Sequence, residues 1–495
     1  CINLNIGLRA KYMSTVFPIN MSILRERPEV YKEIFKKRYL DASLVDKALN
    51  LDSKWREMQK QLERLRFEIN SLSRIYGFIK VRGVQDINVL LRKRRFKEVW
   101  DKYRLEERIR EEGLNVIEEI VSKINVNIKR LEYETKNIKN RLIALLYKFP
   151  NFLDSRVPIG PDETYNVAVR YWGIPKVWSN YLNKFLEENK GLEKYDVIEY
   201  QPKHHYDLIR IFDLADTDIA GKISGARFFV EKNELVFLDF ALSLYALEFY
   251  SKKGFNNIII PPYLMRKSIE EKITYYEAFR DAIYHVVEGN LILITTSEHP
   301  IAAMYIDHTF REDELPLRIL AWSPAFRKEA GAHGKDTKGI FRTHQFHKVE
   351  LHSITRLGED IGELEYILKI TEEFMQSLNI PYRVTLLSSG DMDRRATIQY
   401  DIEGWFPGQG RYRELFSLAT MGDWVSRKIN TRVQRKNGKE YVANLYATGV
   451  AIQRMLCCII ENYYNMNSNL ILVPEKLIKY TGFGKIEVKN NFSFY

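Results

Sequence analysis

Two patterns of apolar residues divide the chain. From Trp55 the apolar positions fall at Trp55, Met58, Leu62, Leu65, Ile69 and Leu72 on a charged background, in alternating steps of three and four. That spacing is the seam of a coiled coil. A second seam runs Ile117, Val121, Ile124, Ile128, Leu131, Ile138, Leu142 and Leu145, with Thr135 at one seam position, and the two should pair antiparallel. Helices of about 30 residues each, at a rise of ~1.5 Å per residue, predict an arm of ~45 Å. Between the seams lie Lys80, Arg82, Arg92, Lys93, Arg94, Arg95 and Lys97, at or near the tip of that arm. Such a tip suits a phosphate backbone, which rewards lysine and arginine with counterion release. The plainer reading is a solvated charged loop on a self-contained coiled coil.

After Pro150 the periodicity stops, and Pro158, Gly160, Pro161, Gly173 and Pro175 mark a linker over 151–180. The domains expected are therefore 21–150, with the helical-hairpin arm, and 181–495. Residues 1–20 lack acids and carry Arg9 and Lys11 without the arginine and serine richness of a transit peptide, and they read as a disordered extension. From about Tyr181 onward, helical runs such as Leu238–Tyr250 and Gly362–Leu378 alternate with short β-type runs at Asn257–Ile260, Leu291–Thr295, Ile319–Trp322 and Tyr382–Leu387. The order is not a regular βαβ repeat, so the pattern predicts an α+β domain: a largely antiparallel sheet flanked by helices.

The most charged alternation lies between Phe326 and Glu350. Two alternating segments flank a centre with Gly331, Gly334, Lys335, Asp336, Lys338 and Gly339, which reads as two antiparallel strands joined by a mobile loop. Strand side chains alternate faces, so Arg327 and Glu329 should share one face of the first strand, and Arg342, His344, Phe346, Lys348 and Glu350 one face of the second. Arginines for phosphate, a ring to stack on a base and acids for amino groups would make a nucleoside triphosphate site. An exposed, salt-bridged hairpin is the alternative. No Gly-x-Gly-x-x-Gly or P-loop lysine motif is present, so any nucleotide site here must be built differently.

Composition narrows the class. The 495 residues are enough for more than one domain, and no apolar run is long enough to cross a bilayer, so no membrane partner is expected. A net charge of +11 favours a polyanionic partner. Cys1, Cys457 and Cys458 offer neither a disulfide framework nor zinc-ligand spacing, which fits a reducing cytoplasm.

The run Phe326-Arg327-Lys328-Glu329 through His344-Gln345-Phe346-His347-Lys348-Val349-Glu350 resembles motif 2 of the seryl-tRNA synthetases, with archaeal-like wording. Gly254-Phe255 with Pro261-Pro262 resembles motif 1 of class II synthetases, Thr296-Ser297-Glu298 the Thr-x-Glu element of the serine pocket, and Ala447-Thr448-Gly449 through Arg454 motif 3. With the arm, the resemblance covers nearly all of the chain from Met21. It implies a class II catalytic domain and a homodimeric, cytoplasmic enzyme that joins serine to ATP as seryl-adenylate and passes it to the 3′ end of tRNA(Ser). By the same resemblance Arg327, Arg342 and Arg454 would be catalytic. Arg327 would grip the α-phosphate, Glu329 would accept from the adenine amino group, and Phe346 would stack on adenine. Arg342 and His344 would belong to the phosphate side, and Arg454 would lie over the other face of adenine or near the γ-phosphate. Mg2+ would sit at Glu414 and Ser417, and serine at Thr296, Glu298, Glu350, Tyr446 and Thr448. The basic tip would meet the tRNA.

Several positions depart from the family pattern. Tyr446 stands where the family usually has asparagine against the serine carboxylate, Ala419-Thr420-Met421 replaces a Ser-Asn-Cys-type run, and paired arginines are Arg427-Lys428. The Gly-Asp-x-Gly element reads Gly390-Asp391-Met392-Asp393. These departures keep a second reading open, a synthetase-like paralogue that binds tRNA without charging it.

Overall fold

The structure is a computed structural model and describes residues 17–274, 276, 280–329 and 338–488. The expectations placed on residues 1–16, on Cys1 and on the loop glycines and charges at 331–336 lie outside the described residues. The chain divides into two compact units, one of Asn20–Glu33 and Asp41–Phe149, the other including Ile34–Leu40 and the chain from Pro150.

In the first unit, helices α1 (Ser43–Arg82) and α2 (Asn115–Leu146) run antiparallel: Arg66 pairs with Glu132 at 2.6 Å and the Tyr76 hydroxyl donates to Glu118 at 2.9 Å. Leu62, Leu72, Ile75 and Ile79 of α1 and Ile117, Ile120, Ile124 and Leu142 of α2 bury the seam. Helix α1 is longer than the seam foretold. Its 40 residues span ~60 Å because helix begins well before Trp55 and continues past Leu72. Gly83, at φ 82°, stops it by donating its N–H to the Ile79 carbonyl, a backbone conformation only glycine adopts cheaply.

The segment between the seams is not a plain loop. It folds into short helices at Ile87–Leu91, Arg94–Lys102 and Leu105–Glu112, with Phe96, Val99, Trp100, Leu105 and Ile109 buried against the ends of α1 and α2. The apolar spacing Phe96, Val99, Trp100 is one helical face, which turns the intervening cations outward. Lys80, Arg82, Arg92, Lys93, Arg94, Arg95 and Lys97 are all exposed. Buried Glu68 of α1 accepts from Lys102 Nζ and the Tyr103 hydroxyl, each at 2.5 Å, and ties this cap to the shaft.

The second unit is built on a large sheet whose main strands are β1 (Val167–Trp172), β2 (Asn257–Ile259), β3 (Leu317–Phe326), β4 (Gln345–Arg356), β5 (Tyr382–Leu386), β6 (Ile398–Phe406), β7 (Arg411–Thr420) and β8 (Gly438–Ala451). Their order is β1-β5-β6-β7-β8-β4-β3-β2, and among them only β2 and β3 pair in parallel. The α+β class on an antiparallel sheet is thus what the structure has. Within the stretch 151–180, Val167–Trp172 is a strand that extends the sheet edge against β5, so that stretch is more than linker. Helices α3 (Glu234–Ser251), α4 (Asp360–Ser377) and α5 (Ile452–Tyr463) pack on this sheet through Leu238, Leu242 and Tyr250, Ile367 and Phe374, and Met455 and Ile459. Cys457 and Cys458 are buried in α5.

Candidate active site

A cavity of about 630 Å³ opens over the middle strands β4, β7 and β8. Alternation along β4 sends Phe346, Lys348 and Glu350 to the cavity side, and β8 adds Tyr446 and Thr448. Cross-strand register sets Glu350 directly against Thr448, with a bulge at Gly449 opposite Val349.

One wall gathers the arginines and rings. The Arg327 guanidinium lies over the Phe346 ring at 5.2 Å, and its Nε donates to the Thr295 carbonyl at 3.1 Å. Glu329 adopts φ 48°, an uncommon conformation for a non-glycine residue, and its carboxylate accepts Arg342 Nε at 2.6 Å. Its carbonyl takes the Arg227 guanidinium. From α5, Arg454 lies 5.2 Å over the Phe341 ring and pairs with the Glu414 carboxylate at 3.0 Å. Arg413 lies 4.3 Å over Phe341.

The other wall is a set of buried carboxylates with fixed partners. Glu350 accepts the Thr296 hydroxyl at 2.5 and 2.7 Å, the Ser297 N–H at 2.7 Å and the Glu298 N–H at 3.1 Å, and also meets the Ser297 hydroxyl and the Lys348 ammonium. Burial pushes this carboxyl up, but Lys348 and the hydroxyls outweigh it and hold it at about 2. Glu298 accepts Nη1 of Arg395 at 2.8 Å. Tyr446 is 6% exposed, packs edge-on against His352 at 4.6 Å, and its hydroxyl has no hydrogen-bond partner among the described residues.

Glu414 and Ser417 both line the cavity although they are three residues apart on one strand. On regular β7 they would face opposite ways, but Leu415 is an extra residue in the pairing with β6, and the bulge brings both to one face. They offer a carboxylate and a hydroxyl, the hard oxygens a magnesium ion prefers. Asp401, opposite Ser417 on β6, is buried with an Oδ1 that has no partner among the described residues, and burial and then Glu414 raise its pKa, which favours its neutral form. In a second group of metal-type ligands, His204, His205 and Glu461, the carboxylate is already engaged: Glu461 accepts the His205 and Gly408 N–H groups, each at 2.9 Å, and meets His205 Nδ1 at 2.8 Å, while His205 Nε2 has no partner among the described residues.

The structure brings Arg327, Glu329, Arg342, Phe346, Arg454, Glu414, Ser417, Thr296, Glu298, Glu350, Tyr446 and Thr448 into the one cavity. His344 is the exception and corrects the alternation argument. Strand β4 begins only at Gln345, so the alternation does not reach back to 344. The His344 ring instead stacks on Phe228 at 5.0 Å, with Nδ1 2.5 Å from the Tyr284 hydroxyl, outside the cavity wall. Two residues went unread in the sequence. Phe341 could have been suspected from the aromatic beside Arg342, whereas Arg395 carries no local signal: only the ion pairs around it reveal its position.

The comparisons agree along the chain. Residues 19–117 match the family model described as seryl-tRNA synthetase N-terminal domain, and residues 284–463 the class II tRNA synthetase core domain of the G, H, P, S and T enzymes. The serine–tRNA ligase of Pyrococcus horikoshii is 39% identical over 472 residues, which is 94% of this chain and 97% of that protein. That of Picrophilus torridus is 36% identical over 473 residues, 96% of this chain and all of the relative. Among solved structures, seryl-tRNA synthetase from P. horikoshii complexed with ATP superposes with a TM-score of 0.84 at 38% identity, covering 95% of this chain and 100% of that one. Cytoplasmic serine–tRNA ligase from Naegleria fowleri in complex with AMP gives 0.78 at 30% identity, over 95% and 99%. Motif wording, sheet order, cavity and relatives therefore converge, and the chain belongs to the seryl-tRNA synthetase family, the class II ATP-dependent serine–tRNA ligases.

Proposed function

We propose that the cavity activates serine with ATP and delivers it to the 3′ end of tRNA(Ser). The observation that carries this is the junction in one cavity of an arginine-and-ring wall with a wall of Thr296, Glu298, Glu350 and Thr448. A carboxylate oxygen of serine attacks the α-phosphorus of ATP, a P–O bond forms, and pyrophosphate leaves. A hydroxyl of the terminal adenosine of tRNA then attacks the acyl carbon and releases AMP. No covalent enzyme intermediate is needed, so the protein's work is positioning and charge stabilisation. Arg327 neutralises charge gained at the α-phosphate. Arg342 and Arg454 serve the terminal phosphates, while Phe346 and Glu329 hold the base by stacking and by accepting its amino group. Serine is selected through its hydroxyl and ammonium, which the acids and hydroxyls of the second wall pair, and a pocket built that way penalises analogues lacking the hydroxyl. Magnesium, held by Glu414 and Ser417, would supply positive charge to the phosphate oxygens.

The unit of 41–149 serves as the tRNA-binding domain, its exposed cations meeting the phosphate backbone, and the unit from Pro150 as the catalytic domain. Exposed Phe237, Phe240 and Leu244 on one side of α3 form an apolar stripe that suits the interface of a homodimer. Among the described residues no helix is long and apolar enough to cross a membrane, consistent with a cytoplasmic enzyme. Each relative named above is a serine–tRNA ligase, which favours charging over tRNA binding without charging. Serine-dependent pyrophosphate exchange by the purified protein is the test: exchange is expected with serine and ATP, and its absence where a control synthetase works overturns the reading.

A further inference from the structure

The acids that this reading gives to the substrate ammonium already hold cations of the chain itself. Lys348 pairs with Glu350, and Arg395 donates Nη1 to Glu298 at 2.8 Å. Arg395 is gripped from its other edge by Asp393, which accepts Nε at 3.0 and 3.2 Å and Nη2 at 2.7 Å. A guanidinium held along one edge by a carboxylate has its plane fixed, and little freedom remains to swing away. Asp393 is anchored in turn: its N–H donates to Gln399 at 2.8 Å, and its carbonyl accepts Arg38 at 3.2 Å. Arg395 is 4% exposed, lies 6.0 Å over the Tyr446 ring, and lines the cavity together with Asp393 and Glu298. Lys428 is buried beside the same cluster, its ammonium 3.0 Å from the Trp424 ring centre, and burial followed by Arg395 drives its pKa well down.

This chain of charges differs from an ordinary surface ion pair. Its guanidinium is buried between two partly exposed carboxylates, it ends on the glutamate of the Thr-x-Glu element, and the guanidinium with the Tyr446 ring takes up room in a subsite meant for a small amino acid. Glu298, Asp393 and Glu350 face Arg395 and Lys348, with Arg38 beside Asp393, so a substrate ammonium meets acids that already hold cations of the chain.

We propose that Arg395 is a specificity-determining residue of the amino-acid subsite: it engages Glu298 so that a substrate ammonium reaches that carboxylate only in competition with the guanidinium, and with Tyr446 it restricts the subsite to small side chains at weakened affinity. The proposal rests on the serine reading above. A merely structural clasp would leave serine binding unaffected in any variant that stays folded.

The test compares the full-length protein with Asp393→Asn/Arg395→Ala, which removes one charge of each sign, and with Arg395→Lys, which keeps a cation near Glu298. Pyrophosphate exchange gives KM for serine and for ATP, and thermal melting monitors folding. The double variant should show a serine KM lower by about tenfold with an unchanged ATP KM, and Arg395→Lys should stay near the wild type. An unchanged or raised serine KM in a double variant with wild-type ATP KM overturns the proposal. If the wild type exchanges with another amino acid and not with serine, the serine reading falls. Arg395 is then judged on that amino acid: a shift in preference or KM in the double variant supports its role, and identical behaviour overturns it. Exchange gained with serine only in the double variant supports it, and exchange by none of the proteins with any amino acid overturns both.

Discussion

The two walls of the cavity are built on opposite plans. On the side proposed for the nucleotide the long side chains are only partly buried: Arg342 and Arg454 are 37% and 25% exposed, and each has one main carboxylate partner. On the amino-acid side Glu350 and Arg395 are 6% and 4% exposed and hold several partners at once. Partly exposed pairs exchange partners at small cost, whereas opening a buried pair strands a charge in low dielectric. On the function proposed above, the arginines of the nucleotide wall would close around phosphates by trading Glu329 and Glu414 for ligand oxygens. The amino-acid wall presents a fixed shape, and discrimination belongs on the wall that does not yield.

Several experiments sharpen or break that contrast. The largest effect is expected for Arg327→Ala, which should lower exchange by about 10²–10³-fold, in line with removing one preorganised donor from a developing charge. Filter binding should find tRNA affinity retained, and an equal loss of both would break the division between the two units.

Glu350→Gln tests the rigid wall through stability. The Glu350 carboxyl is held at about 2, below its ordinary value, so its contribution is fully present above that ordinary value and is lost as pH falls through about 2. The contribution is on the order of 3 kcal/mol. Acid titration followed by circular dichroism should show the wild type losing stability in that window and the variant, already destabilised, losing less. An identical acid profile would mean that Glu350 is not the rigid element described.

Replacing Arg92, Lys93, Arg94 and Arg95 together with alanine should weaken tRNA binding by about tenfold or more and flatten its dependence on salt, with serine and ATP KM untouched. An unchanged salt slope would remove the cap from the tRNA contact. The smallest effect is expected for Phe341→Leu, which keeps an apolar surface beneath Arg413 and Arg454 but removes the ring face. The ATP KM should rise about two- to fivefold, in proportion to a cation–π contact of ~0.5–1 kcal/mol, with serine KM unchanged.

What could be read in the sequence follows how local the determining physics is. The seams on α1 and α2 and the alternation over Gln345–Glu350 are strictly periodic, and each maps onto one buried or cavity-facing side. The cap between the seams was harder. Its apolar residues Phe96, Val99 and Trp100 sit in a run so cationic that charge masks the helical spacing, and they are buried only because the shaft ends cover them. Ser417 was placed by resemblance; the bulge at Leu415 that makes it face the cavity depends on a partner strand distant in sequence. His344 left the expected face for the opposite reason, since the alternation was extended back through His344 to Arg342, ahead of the strand that begins at Gln345, and of the two only Arg342 lines the cavity. Arg395 was silent because its meaning lies in Glu298 and Asp393 taken together, and the partner in Glu298 is 97 residues away.

The clasp between Glu68 and the pair Lys102 and Tyr103 gives the long hairpin a further property. With its cap bolted to the shaft, the hairpin acts as a ruler whose graduations are helical turns. Excising seven residues from each of α1 and α2 at matched positions would keep the seam in phase and draw the cationic cap inward along the shaft by ~10 Å. On the tRNA-binding role proposed for this unit, the length of the shaft, separately from the chemistry at its end, then becomes a variable that would decide which nucleic-acid shapes fit.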